Sequence, residues 1–460
     1  MIKMKLALVF PPLKEGYKPS RRSCIVQNRS LPQLATFVKN NNLAEVSVYD
    51  GIIGTPSKEY ITREISTQQP EIVGFNTNIV NYPVALEMAE ALKQGYAPVI
   101  VFGGPWMNSR GIAVQTLFNR SFVDYACIGQ GEPVIEGLLG QEPVHSVPNL
   151  IWKDGTKIIR NESMHMSLDE ETTPDMSFLN IEEYIEQAKE QGLRPSLTLK
   201  AFSGCSGQCY FCGREYQKLE QKSVEKYVNE MEKLSEQFGV THFWDVSATF
   251  TWNLYWLKEF AEAMEGRGFT FSVYSRANEI TPEKASLLKR AGVIEVFIGY
   301  ESGDDQILES IKKGLTRKQA EYATQTLADH SVGILGAFMV GNIGENNASA
   351  QRTLDLAYRV HKIAHGSMIY SSLLVPLPAL EDCLRETCYD ALVKKLVENG
   401  AHDEIKKITG DIIDPNDLRE SWFRDKRFCE LSLEEAIEWA DRIAGISNIR
   451  SSFISYHSKR

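Results

Sequence analysis

Two runs of strand–helix alternation govern what this chain can fold into. In residues 4–140, candidate strands fall at Lys5–Phe10, Val46–Tyr49, Ile72–Phe75, Val99–Phe102 and Val123–Ile128. Helical candidates lie near Leu31–Lys39, Lys58–Ser66, Val84–Lys93, Ile112–Phe118 and Glu132–Leu139. Alternation of this kind predicts a doubly wound parallel sheet. The second run starts at residue 196, with candidate strands Leu197–Phe202, His242–Val246, Thr270–Tyr274, Glu295–Ile298, Ile334–Val340 and Met368–Leu374. Six such units predict a partial (β/α)6 barrel. Its chemistry belongs at the carboxyl ends of the strands, as in the full eightfold barrel.

The segments between and after these runs are less patterned. Residues 141–195 read as a linker carrying a hairpin, with Leu150-Ile151-Trp152 and Lys157-Ile158-Ile159 flanking a turn at Asp154-Gly155. Residues 379–460 read as a mainly helical cap. Within it Ser432 and Glu435 form a capping box that opens a helix ending near Gly445. The division expected is therefore 1–140, 141–195, 196–378 and 379–460. The tail reads either as a structural cap or as a substrate lid using Trp422, Phe423 and Phe428.

Composition narrows the function. A net charge of −10 argues against nucleic acid as the main partner. No stretch approaches the roughly 18 apolar residues of a membrane span. Five of the eight cysteines, Cys24, Cys127, Cys383, Cys388 and Cys429, are scattered and form no disulfide framework. That usage fits a reducing cytoplasm.

The other three cysteines stand together in Cys205-Ser206-Gly207-Gln208-Cys209-Tyr210-Phe211-Cys212, spaced C-x3-C-x2-C after a candidate strand. Downstream, Ser223 reads as the N-cap of a helix running toward Gln237. Thiolates are soft ligands that suit iron–sulfur clusters. A cubane cluster held by protein alone takes four cysteines, so three would leave one iron open. A structural zinc loop is the plain alternative, but it needs a fourth ligand that no nearby His or Cys supplies.

This loop resembles that of the radical S-adenosylmethionine (SAM) superfamily, which carries the same spacing after the first barrel strand. Cys205, Cys209, Cys212 and the aromatic Phe211 fit the pattern. The resemblance implies a [4Fe–4S] cluster whose open iron binds the amino and carboxylate groups of SAM. Reductive cleavage of the sulfonium would give methionine and a 5′-deoxyadenosyl radical. It also implies an electron donor such as flavodoxin or ferredoxin.

In the first run, the strand ends carry Pro11-Pro12, Asp50-Gly51, Asn76-Thr77-Asn78, Gly103-Gly104-Pro105 and Gly129-Gln130-Gly131-Glu132. Ligands in such sheets bind at these ends, and no dinucleotide fingerprint is present. Together the tips resemble the cobalamin-binding domain in front of many radical SAM enzymes. That family usually has Glu where Gln130 stands, so Gln130 is a poor candidate for that residue's role. The implied cobalamin contacts are Asp50, Gly51, Asn76, Thr77, Asn78, Gly103, Gly104, Pro105, Gly129, Gly131 and Glu132. Residues 1–144 contain no histidine, and Ile52 stands where a D-x-H-x-x-G segment would place one. Thr55 stands in place of that segment's Gly. Cobalamin would therefore bind without a histidine from this domain on its cobalt.

At the barrel mouth, Asp245, Ser247 and Thr249 follow the second strand, Arg276 the third, and Glu301 and Ser302 the fourth. By resemblance, Ser247, Arg276 and Glu301 would contact SAM, Arg276 through its carboxylate. An Arg276–Glu301 salt bridge is the structural alternative. The family's Gly-Gly-Glu pattern after the second strand is absent, which weakens Ser247. Gly341-Asn342-Ile343-Gly344-Glu345 replaces the more usual Gly-Leu-Pro-Gly-Glu, and Pro376-Leu377-Pro378 is followed by Ala379-Leu380 in place of Gly-Thr. These changes point to a different substrate.

The resemblance, over roughly residues 4–376, implies a cobalamin-dependent radical SAM methyltransferase acting on an unactivated carbon. The substrate would be a small molecule or a peptide. A rearrangement or ring closure without methyl transfer is the main alternative, and a non-enzymatic cobalamin or iron–sulfur sensor is another. A methylthiotransferase would need a second cluster, and Cys24 and Cys127 are too few to build one.

Overall fold

The structure is a computed structural model. It describes residues 3–15, 17, 25–54, 56–108, 118–212, 219–378, 386–409 and 413–447. The expected helix at 112–118, apart from Phe118, lies outside the described residues, as do Cys24, Thr55, Gly213, Arg214 and Cys383. The chain forms two compact units. One runs to Leu193 and takes in Ile405–Asp414; the other holds most of the remainder.

The first unit is built on a seven-stranded sheet. Its strands are β1 (Lys5–Phe10), β2 (Glu45–Asp50), β3 (Ile72–Asn76), β4 (Val99–Gly103), β5 (Tyr125–Cys127), β6 (Leu150–Asp154) and β7 (Lys157–Arg160). The order is β2-β1-β3-β4-β5-β6-β7. The first five are parallel, and the order reverses at β1 and β3, the switch point where such sheets bind ligands. Helix Ser30–Asn40 meets Glu132–Leu139, while Lys58–Gln68 meets Tyr82–Gly95. Leu31, Ala35, Val38, Val134 and Ile135 bury one helix layer in a core with Leu6, Leu8 and Ile72.

The five strands expected form the parallel sheet, and the sheet continues beyond them. The hairpin assigned to the linker pairs antiparallel with β5, Ala126 opposite Ile151. An unpaired β5 would expose a row of backbone donors and acceptors, and the hairpin covers that edge. Asp414 also reaches the first unit's N-terminal segment, accepting from Lys14 Nζ at 2.9 Å and Tyr17 OH at 2.8 Å.

The second unit carries six parallel strands in the order β15-β14-β13-β12-β11-β8. They are β8 (Leu197–Leu199), β11 (His242–Asp245), β12 (Thr270–Ser275), β13 (Val293–Glu301), β14 (Gly333–Val340) and β15 (Met368–Leu373). The order is sequential and the two ends do not pair, the open barrel expected. The first strand is shorter than predicted and stops at Leu199. Beyond it, β9 (Phe202–Ser203) turns away to pair antiparallel with β10 (Glu220–Gln221). The helix after β10 spans Val224–Phe238 and the one after β12 starts at Pro282 with Thr281 as its cap. Phe202, Tyr227, Phe250, Trp256 and Phe260 pack edge to face behind this turn.

Candidate functional site

The cysteine loop begins where β8 ends, and buried polar groups of the next strand fix its start. Asp245 closes β11 and is fully buried. Its Oδ2 accepts from the Ala201 amide at 2.8 Å and Tyr227 OH at 3.1 Å, and its Oδ1 from the Ser247 amide at 2.8 Å. Ser247 Oγ accepts from the amides of Ala201 at 3.1 Å and Phe202 at 2.8 Å. Those two amides are thus withdrawn from the barrel ladder, which is why β8 stops early. Burial raises the Asp245 pKa, while the bonds from Ser247, Ala201 and Tyr227 lower it in part.

Further along, the Tyr210 amide donates to the Ile311 carbonyl at 2.8 Å, and its own carbonyl accepts from the Cys388 amide at 3.1 Å. The loop is therefore held from the β13 side and from the C-terminal helix Cys388–Glu398 at once. Cys209 is buried; Cys205 and Cys212 are partly exposed. The Gly207 amide donates to Cys205 Sγ at 3.3 Å, and Thr249 Oγ1 lies 3.9 Å from the same sulfur. Among the described residues, no three His, Cys, Asp or Glu groups converge on a single ion. A cubane asks for something else, one thiolate on each of three irons.

Arg276 follows β12 and is 9% exposed. Its Nη1 donates to Cys209 Sγ at 3.5 Å, and its Nη2 donates to the Lys313 carbonyl. A Cβ on Gly207 would lie 2.3 Å from that Nη1, so only glycine gives the guanidinium its place. Burial pulls the arginine pKa down, but the Cys209 and Cys205 thiols outweigh it and the net direction is up.

The Arg276–Glu301 salt bridge expected as the alternative is not formed. Glu301 pairs with Lys313, Nζ to Oε1 at 2.8 Å, with both side chains largely buried. Lys313 Nζ also stands 5.9 Å from the centre of the Phe211 ring. Glu301 adopts φ +65°, rare for a residue with a side chain, at an irregularity in the β13–β14 register. Such strain concentrates at functional sites. Sequence reading missed Lys313. Its signal was weak, a Lys312-Lys313-Gly314 run ahead of the helix capped by Thr316.

Trp422, Phe423 and Phe428, read as possible substrate contacts, are buried. Trp422 Nε1 donates to the Gly341 carbonyl at 2.8 Å, and its ring stacks on Phe428 with centroids 4.4 Å apart. These side chains hold the tail on the loop after β14. Glu345, in that loop, accepts from the amides of Gly341 and Asn342 at 2.6 and 2.9 Å. Burial pushes its pKa up to about 7 against those bonds, with Asp304 adding to the rise. Cys388 and Cys429 are buried thiols pushed up to about 12, chiefly by desolvation. Neither is a ready nucleophile.

In the first unit, several predicted contacts already have protein partners. Asp50 accepts from Tyr184 OH at 2.5 Å and from the Ile52 amide at 3.0 Å. Gly51 lies against the backbone of Pro11-Pro12. Glu132 accepts from Gln33 at 2.8 Å. Gln130 exchanges bonds with the Met166 backbone, consistent with a structural role. The tips after β3 and β4 are tied together. Thr77 donates through N and Oγ1 to the Gly103 carbonyl, both at 2.8 Å. Gly104, at φ +89°, lies so close to Thr77 that a Cβ would sit 2.6 Å from its nitrogen. Asn78 Oδ1 caps the amides of Val80 and Asn81. Gly129, at φ +88°, donates its amide to Asn108 Oδ1 at 3.1 Å, and Gly131 packs beside Leu34. Next to Pro105, Trp106 is 4% exposed, and its indole N–H has no hydrogen-bond partner among the described residues.

Comparison with known proteins adds to this geometry. A family model of the Radical SAM superfamily matches residues 199–357. An uncharacterized methyltransferase of Pyrococcus horikoshii is 25% identical over 374 residues, 78% of each chain. An anaerobic magnesium-protoporphyrin IX monomethyl ester cyclase of Cereibacter sphaeroides is 24% identical over 341 residues, 70% of this chain and 54% of its own length. The chain thus spans little more than half of that cyclase. Among solved structures, the cobalamin-dependent SAM radical enzyme OxsB with aqua-cobalamin and SAM bound superposes with a TM-score of 0.67 at 19% identity. That match covers 87% of this chain and 62% of OxsB. The radical SAM methyltransferase TsrM from Kitasatospora setae, with cobalamin and a [4Fe–4S] cluster bound, gives 0.67 at 15% identity over 86% of this chain and 76% of its own. No described helix is long and apolar enough to cross a membrane. Residues 199–357 match the Radical SAM superfamily, and the chain has the fold seen in the cobalamin-dependent enzyme OxsB and the methyltransferase TsrM.

Proposed function

We propose that this protein is a cobalamin-dependent radical SAM methyltransferase that methylates an unactivated carbon of a small molecule or peptide. The observation that carries the radical SAM part is the three-thiol loop anchored on Asp245 and Ser247, with a guanidinium against Cys209. Three thiols and one adjacent cation fit a cluster bound through Cys205, Cys209 and Cys212. Bound there, the cluster and SAM supply a 5′-deoxyadenosyl radical, and cobalamin supplies the methyl group. The chain's own part is to place and shield the reactants.

Asp245 and Ser247 hold the loop's first amides and so fix where its thiols stand. This gives Ser247 a positioning role in place of the cofactor contact expected from sequence. The Glu301–Lys313 pair offers a carboxylate beside an ammonium, complementary to the zwitterionic head of SAM. In the first unit, the linked tips at Asn76-Thr77-Asn78 and Gly103-Gly104-Pro105 are the proposed cobalamin contacts. The buried N–H of Trp106 next to them, without a partner among the described residues, fits a ligand rich in acceptors. Asp50, Gly51 and Glu132 serve the fold first, through Tyr184, Pro11-Pro12 and Gln33.

Methyl transfer is favoured by the Pyrococcus relative, which matches over most of both chains. Ring closure without methyl transfer is the second reading, favoured by the cyclase of Cereibacter sphaeroides. The test is anaerobic reconstitution with iron, sulfide, cobalamin, SAM and a reductant such as reduced flavodoxin or ferredoxin, screened against candidate substrates. Methyl transfer gives S-adenosylhomocysteine alongside 5′-deoxyadenosine. A product of unchanged carbon count without S-adenosylhomocysteine decides for ring closure or rearrangement.

A further inference from the structure

We propose that Arg276 is a positioning residue for the cluster itself, acting through Cys209: it sets how easily the cluster accepts its electron. This rests on the reading of Cys205, Cys209 and Cys212 as cluster ligands, and it replaces the SAM-carboxylate role that the sequence suggested for Arg276.

The geometry carries the inference. The guanidinium uses one nitrogen on Cys209 Sγ and the other on the Lys313 carbonyl. Cys209 is the most buried thiol of the three, and Arg276 is nearly buried itself. A cation held there is poorly screened by water. Its position is fixed from several sides. Gly207 leaves it room, a Cβ at Gly314 would stand 3.6 Å from Nη2, and the Lys313 carbonyl orients the fork. The side chain of Lys313 is meanwhile committed to Glu301. Arg276 is thus built into the cysteine loop and does not reach for the carboxylate that would otherwise pair with it.

The consequence follows from charge. Reduction adds one negative charge to the cluster, and charge and hydrogen bonding at the cluster sulfurs set its potential. A fixed cation on a ligand sulfur stabilises the reduced form, so the wild-type cluster is easier to reduce than one without it.

The test is an anaerobic redox titration of the reconstituted full chain, without SAM or cobalamin, followed by electron paramagnetic resonance of the reduced cluster. Iron and sulfide content are measured first, so that loss of the cluster is seen separately from a change in its potential. Arg276→Gln removes the charge while keeping an amide donor. It is expected to lower the reduced-to-oxidised ratio at fixed potential by about tenfold, a shift of about 59 mV to more negative potential for one electron. Arg276→Lys keeps the charge and is expected to lie between the two. Gly207→Ala keeps Arg276 but displaces Nη1, and it is expected to shift the potential in the same direction. A loaded Arg276→Gln cluster with wild-type potential overturns the proposal, above all if SAM binding alone is weakened. Should Arg276→Gln not load, an unmoved potential in loaded Gly207→Ala overturns it equally. Failure of the wild-type chain to hold a cluster overturns the ligand reading and the proposal with it.

Discussion

Single side chains carry unusual weight where the first barrel strand meets the cysteine loop. Ser247 Oγ takes two backbone amides, Ala201 and Phe202, at a buried position. Ser247→Ala leaves one of them with Asp245 and the other with none. A buried unsatisfied group costs about 1–3 kcal/mol. The variant is expected to unfold at lower denaturant by that order and to hold less cluster at equal iron supply. Unchanged midpoint and loading would remove Ser247 from the positioning role. Glu345 gives a prediction in pH. Its folded-state pKa lies above the ordinary carboxylate value, so the folded protein keeps the proton to higher pH. Its contribution to stability is fully present below about pH 4.5 and is lost as pH rises toward 7. Glu345→Gln keeps an acceptor for the Gly341 and Asn342 amides and cannot ionise. It is expected to flatten the fall in stability across that window, with a gain at pH 8 on the order of 3 kcal/mol at most. Urea unfolding at pH 5 and pH 8 measures both arms.

At the scale of elements, the loop after β14 is where the C-terminal tail is fastened. The Gly344 amide donates to the Phe428 carbonyl at 2.6 Å, and the Glu430 amide to the Glu345 carbonyl at 2.9 Å. Phe423 sits on Gly341, where a Cβ would approach its ring to 2.1 Å. Gly341 also has φ +95°, so Gly341→Ala meets both a clash and an unfavourable backbone. The variant is expected to lose about 1–3 kcal/mol and to expose residues 415–444 to limited proteolysis before the barrel. Protection equal to wild type would count against the fastening. These elements also show what the sequence could and could not disclose. Apolar runs bounded by helices marked the strands of both sheets, because burial on both faces leaves that pattern. The pairing of β6 with β5 was hidden, since a hairpin signal specifies its own turn and not its outer neighbour. The early end of β8 was hidden too, because it depends on Asp245 and Ser247, more than forty positions along the chain. The cysteine spacing is local and was legible; the partners of Arg276 and Glu301 are not local, and the salt bridge between them, weighed only as the alternative, gives way to Glu301–Lys313.

For the whole molecule, the proposal joins two chemistries, a radical generator in the second unit and a methyl carrier in the first. The absence of histidine before His145 gives the carrier its own expected signature. Bound Co(II) cobalamin should show no nitrogen splitting from a histidine of residues 1–144. The generator is more central, because nothing else in the proposed reaction proceeds without it. The most direct test compares the anaerobically reconstituted wild-type chain with a variant carrying Cys205→Ala, Cys209→Ala and Cys212→Ala. Both are supplied with SAM and a reductant and assayed for 5′-deoxyadenosine. The wild type is expected to show the broad iron–sulfur absorbance at about 400 nm and to form 5′-deoxyadenosine, and the variant to lack both. Formation of 5′-deoxyadenosine by the variant, or none from a fully loaded wild type, would contradict the account.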